Sequence, residues 1–80
     1  MKYLFFKSND CGLCEGMLQK TYNYIDKDKI QIIQLEKNPL LRGKYNVFSA
    51  PTLLFIDKEK EVHRESGFFN FQMIKKILSP

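Results

Sequence analysis

The chain has 80 residues, 44% of them hydrophobic and 28% charged, with a formal net charge of +4. That is the size and balance of one small soluble domain spanning 1–80, and seven Phe with four Tyr exclude a disordered chain. The lysines are dispersed, with Lys75-Lys76 as the longest basic run, which excludes a nucleic-acid arm, and no stretch approaches the ~20 apolar residues of a membrane span.

Lys2 to Lys7 predicts a strand: Tyr3, Leu4, Phe5 and Phe6 run without alternation, as in a central strand covered on both faces. The same run is too short for the apolar region of about 7–15 residues in a secretory signal, so a cytoplasmic protein is expected. Ser8-Asn9-Asp10 is turn-forming and able to cap a helix. Residues 12–26 predict that helix, with Cys14, Met17, Leu18, Thr21, Tyr22 and Ile25 recurring on one face. Ile30 to Leu35 is a second strand. Pro39 suits the first turn of a short helix through Tyr45. Thr52 to Ile56 is a third apolar strand, residues 57–60 a charged turn, and Glu61 to Glu65 a weakly apolar edge strand. Gly67 breaks the chain, and Asn70 can cap a last helix whose Phe71, Ile74, Ile77 and Leu78 share a face. The order is β-α-β-α-β-β-α. A right-handed crossover makes the first two strands parallel, and a short connection makes the last two antiparallel.

Cys11-Gly12-Leu13-Cys14 is the informative motif. Two cysteines placed at random in such a chain fall at this spacing only about 2% of the time. The pair also lies where a strand gives way to a helix. A helix start carries unpaired N–H groups and partial positive charge, both of which stabilise a thiolate. Cys11 is therefore expected to be the exposed nucleophile and Cys14, one turn in on the core-facing side, the shielded resolving thiol. Gly12 is expected to permit close backbone approach. Two alternatives stand beside this reading. One is a plain structural disulfide, which a reducing compartment disfavours. The other is zinc, which wants four ligands, whereas the chain offers two cysteines and His63 unless a dimer shares four cysteines.

With the motif placed, the chain resembles the thioredoxin and glutaredoxin superfamily over nearly its whole length. Cys11-Gly12-Leu13-Cys14 is similar to the thioredoxin Cys-Gly-Pro-Cys. Ala50-Pro51-Thr52-Leu53-Leu54-Phe55-Ile56 is similar to the family's proline-plus-strand segment, whose proline is cis and faces the cysteines. Gly67 follows the hairpin as a glycine does in thioredoxins. The departures are an Asp10 where thioredoxins carry Trp, and Phe5 where they bury the Asp that helps proton transfer. Lys7, Asp10 or water are the candidates for that task here. Ser49-Ala50-Pro51 and Ser66-Gly67-Phe68-Phe69 stand where glutaredoxins carry their glutathione segments but differ from them, which gives glutathione little support as a cofactor.

The resemblance implies a thioredoxin-like α/β fold, a four-stranded mixed sheet flanked by helices. It implies a thiol–disulfide oxidoreductase reducing protein disulfides, with Cys11 and Cys14 catalytic and Gly12, Leu13, Ala50, Pro51, Gly67 and Phe68 facing substrate. No metal and no cofactor beyond the redox-active pair are expected. Electrons are expected from a thioredoxin reductase or a low-molecular-weight thiol, and the protein is expected to be a monomer. The rival readings are a glutathione-dependent glutaredoxin and a non-catalytic module that holds metal or a partner. Leu13, Phe48 and Phe68 form a candidate apolar landing patch, although simple core packing explains aromatics equally well.

Overall fold

The computed structural model describes residues Met1–Pro80. Its strands are β1 (Lys2–Lys7), β2 (Ile30–Gln34), β3 (Thr52–Asp57) and β4 (Lys60–Ser66), and its helices are α1 (Cys14–Thr21), α2 (Pro39–Tyr45) and α3 (Phe71–Leu78). The sheet order is β2-β1-β3-β4. β1 is parallel to β2 and antiparallel to β3, and β3 is antiparallel to β4. This is the β-α-β-α-β-β-α order expected from the sequence.

Unalternated apolar runs put β1 and β3 in the centre, where side chains of both parities are buried. Phe5, Leu53 and Phe55 point to one face and join Cys14, Met17 and Leu18 of α1, Ile74 of α3 and Phe69. Leu4, Phe6, Leu54 and Ile56 point to the other and join Ile33, Leu35 and Val47, with Leu41 and Tyr45 of α2 packed against them. The sheet is thus sandwiched, with α1 and α3 on one side and α2 on the other. None of the helices is long and apolar enough to cross a membrane.

The boundaries of α1, β2, β4 and, by one residue at Asp57, β3 differ from the expected ones. The first helix occupies Cys14–Thr21 rather than 12–26. Gly12 and Leu13 form a turn before it, and beyond Thr21 the backbone tightens into turns, with Asn23 N–H bonded to Lys20 O and Tyr24 N–H to Thr21 O. Thr, Tyr and Asn in this stretch are weak helix formers. β2 stops at Gln34, because Leu35–Lys37 forms a 3-10 turn that buries Leu35 in the second core. β4 runs longer than 61–65, since only Lys58 and Glu59 make the hairpin turn and both take positive φ, 51° and 67°. A bulge leaves Val62 unpaired between Ile56↔Glu61 and Phe55↔His63.

Helix ends follow their local chemistry. Pro39 occupies the first turn of α2, and Asn46 in the left-handed region ends it. Asn70 Oδ1 accepts from Met73 N–H at 3.1 Å at the start of α3. Phe69 before the cap and Ile74 in the first turn lie in the same core cluster, which is the arrangement of a hydrophobic staple.

Candidate redox site

Three strand ends meet at one end of the sheet. β1 finishes at Lys7, and its Phe6 pairs with Thr52 at the start of β3. Thr52 in turn pairs with Ser66 at the end of β4. The turn to Cys11, the Ala50-Pro51 segment and Gly67 therefore converge there without any being adjacent in sequence.

Cys11 and Cys14 are joined as a disulfide, with Cα atoms 5.4 Å apart. Cys14 is the first residue of α1, not one turn inside it, and its N–H bonds Cys11 O at 3.4 Å. Cys14 is 6% exposed and lies in the core cluster, whereas Cys11 is only partly covered and packs on the edge of that cluster. The chain itself does not demand glycine at Gly12: its φ is not in the left-handed region, and a Cβ there would meet nothing within 4 Å. Gly67 is different, with φ 69° and its N–H donating to Pro51 O at 3.0 Å.

The Ala50–Pro51 peptide bond is cis. Pro51 is buried, and Ala50 packs against both core clusters. Thr52 braces the segment, its hydroxyl donating to Ser49 O at 2.9 Å and lying 3.3 Å from Ser66 Oγ. Of the expected apolar patch, Phe68 is 77% and Phe48 66% exposed, while Leu13 is exposed only at 36%. Phe48 carries the Arg42 guanidinium over its ring at 5.9 Å. Phe5 is fully buried in the cluster that holds Cys14 and stacks edge-on to Phe69. Lys7 and Asp10, the candidates for proton transfer, are both exposed.

The structure is similar to those of solved thioredoxins. Thioredoxin 1 from the thermophilic eubacterium Thermosipho africanus superposes with a TM-score of 0.80 at 29% identity, covering 95% of this chain and 88% of that one. The chain belongs to the thioredoxin-like superfamily. A mutant thioredoxin from Halobacterium salinarum shares the fold at a TM-score of 0.74 and 18% identity, over 95% of this chain and 69% of the other. Thioredoxin-2, described as a component of malaria parasite protein secretion machinery, does so at 0.69 and 23%, over 95% and 78%. No protein-family model matches the sequence, and no curated protein sequence does. A thioredoxin-like fold with a close Cys11–Cys14 pair fits thiol–disulfide oxidoreduction in general.

Several residues of this thioredoxin-like site were not foreseen in the sequence. Phe69 is buried in the same core cluster as Cys14, its N–H donating to the Met17 sulfur at 3.4 Å. A doubled Phe just before a capping Asn is the signal that marks it. Asn9 N–H donates to Glu36 Oε2 at 3.0 Å, and Gln34 Nε2 donates to Asn9 Oδ1. The bond from Asn9 is the main reason the Glu36 carboxyl is held below the ordinary Glu range, with a smaller contribution from the charge of Arg42. On the other flank Glu65 Oε1 accepts from Asn70 N–H at 2.9 Å, and Glu65 Oε2 pairs with His63 Nε2. No three His, Cys, Asp or Glu side chains come together as a metal set. The one cavity, of ≈ 260 Å³, lies at the opposite end of the sheet, against Tyr45, Ile56, Glu61 and Arg64.

Proposed function

We propose that the chain reduces disulfides in other proteins, with Cys11 as nucleophile and Cys14 as resolving thiol. The single observation that carries this reading is the unequal burial of a bonded cysteine pair: Cys14 lies in the core cluster and Cys11 stands at its open edge. In the reduced protein the Cys11 thiolate attacks one sulfur of the substrate disulfide. A mixed disulfide forms, and the first substrate sulfur leaves as a thiolate. The Cys14 thiolate then attacks the Cys11 sulfur and displaces the second substrate thiolate. The substrate gains two electrons and takes up two protons, and the pair ends in the bonded form seen here. A thioredoxin reductase or a low-molecular-weight thiol returns the two electrons. Ala50, Pro51, Gly67, Phe68 and the Gly12-Leu13 turn are the segments assigned to receive an extended stretch of substrate, a role supported by the convergence of the three strand ends and by Ala50 packing on the same cluster as Cys11.

Two experiments test the reading. Reduction of a protein disulfide is followed by NADPH consumption with thioredoxin reductase, and separately with glutathione plus glutathione reductase; activity in neither sinks it. Cys14→Ser should trap a covalent mixed disulfide visible on a non-reducing gel, and Cys11→Ser should trap none. Trapping by Cys11→Ser alone reverses the two roles.

A further inference from the structure

Cys11 lies outside the helix whose positive end favours its thiolate, because α1 starts only at Cys14. The long turn bond from Cys14 N–H to Cys11 O, 3.4 Å, is a weak tether. In the oxidised chain the disulfide holds Cys11 in place. Once it is reduced, the position of Cys11 depends on the turn that leads into it from β1. The β1–β2 ladder ends at the pair Lys7↔Gln34. Two residues further on, that turn is gripped from the far side of the crossover. Asn9 N–H donates to Glu36 Oε2, and Asn9 Oδ1 accepts from Gln34 Nε2. Gln34 is itself anchored, since its carbonyl accepts from Asn38 Nδ2 at 2.9 Å at the start of α2. None of these four residues is buried, so the core does not need them. A bond to a charged acceptor is stronger than a neutral one and survives such exposure better.

We infer that Glu36 and Gln34 clamp Asn9 so that the turn presents Cys11 to the positive end of α1, making Glu36 a positioning residue for the redox reaction proposed above. The inference rests on that reading for its purpose. Two effects of removing Glu36 have opposite signs. Loss of the clamp lets Cys11 drift from the helix end and weakens the thiolate. Loss of a nearby negative charge alone strengthens it.

The test is the pH profile of iodoacetamide alkylation at Cys11 in the reduced full-length chain, read on the Cys11 peptide by mass spectrometry. Glu36→Ala should slow alkylation at neutral pH by about threefold or more through a raised thiol pKa, and Gln34→Ala should act in the same direction. Glu36→Gln keeps an oxygen that accepts from Asn9 N–H, and should restore the rate to within about twofold of the unaltered chain. Exchange of the Asn9 amide hydrogen should quicken in Glu36→Ala and stay protected in Glu36→Gln. Faster alkylation in Glu36→Ala would reduce Glu36 to a bystander charge and overturn the clamp. An unchanged profile in a folded variant would overturn it equally. Neither readout uses a substrate or an electron donor, so failure of the chain to reduce protein disulfides is recorded separately, in the coupled assay.

Discussion

Cys11 and Cys14 are chemically identical residues made unequal by three positions of sequence. Cys14 shares the inward stripe of α1 with Met17, Leu18 and Thr21, and Cys11 precedes the helix. That inequality was legible in the sequence, because the stripe follows from three- and four-residue spacing. The charge around the pair was also legible. Asp10 and Glu15 flank it and oppose the thiolate. Glu15 is drawn along the helix surface by Gln19, whose Nε2 donates to Glu15 Oε1 at 2.9 Å. That leaves Asp10, immediately before Cys11, as the carboxylate with the larger effect. The pair should therefore be a reductant, with a potential nearer the thioredoxin value of roughly −270 mV than the strongly oxidising value of about −120 mV. Equilibration in a glutathione redox buffer measures it, and a value near −120 mV contradicts the charge argument. Asp10→Asn should raise the potential by roughly 10–20 mV, the equivalent of about 0.5–1 kcal/mol for an exposed charge.

Among the elements, the β3–β4 hairpin carries the clearest local cost. Lys58 and Glu59 both sit at positive φ, the geometry of a type I′ turn that favours Asn-Gly. Each non-glycine residue there costs on the order of 1 kcal/mol. Glu59 gains only a 3.9 Å ion pair to Lys2, with both side chains well exposed, and such pairs contribute close to nothing. Glu59→Gly should thus stabilise the fold by roughly 0.5–1 kcal/mol despite the added freedom of the unfolded chain, read as a higher midpoint in urea. A lower midpoint would mean that the ion pair outweighs the backbone term. Asn70→Ala removes the cap on α3 and should cost about 1 kcal/mol. The strands and the Pro39 and Asn70 helix starts could be read from the sequence because apolar runs and capping residues act over a few neighbours. The bulge at Val62 and the grip of Glu36 on Asn9 could not. The first depends on register across two strands, and the second joins residues 27 positions apart. The early end of α1 at Thr21 is an intermediate case: the apolar face continues to Ile25, which is buried, but weak helix formers carry it there by turns.

For the molecule as a whole, the three layers are linked at their surface by few charged bonds, and Arg64 makes the most of them. It stands on β4 opposite Leu54. Its guanidinium donates to both oxygens of Glu61, at 3.0 and 2.8 Å, and to Tyr45 O and Asn46 O at the end of α2. The bonds to Glu61 hold the arginine above its ordinary pKa, and those from Arg64 hold the Glu61 carboxyl below its own. Glu36 is likewise depressed, chiefly by the bond from Asn9. A carboxyl lowered on folding stabilises the fold fully above the ordinary Glu value, and that stabilisation is lost as pH falls through the depressed range. Acid adds a second penalty, since protonating nine carboxylates leaves thirteen Lys and Arg side chains and His63 without opposing charge. Stability should therefore be level near neutrality and fall below about pH 4.3, followed as the thermal midpoint against pH. Glu61→Gln should flatten the fall while costing little at neutral pH, because the pair is largely open to solvent. Arg64→Ala should cost more at every pH, about 1–2 kcal/mol, because two α2 carbonyls lose their donor as well. If Glu61→Gln and Arg64→Ala prove equally mild at neutral pH, the link from β4 to α2 contributes nothing and the sheet–helix packing alone holds that layer in place.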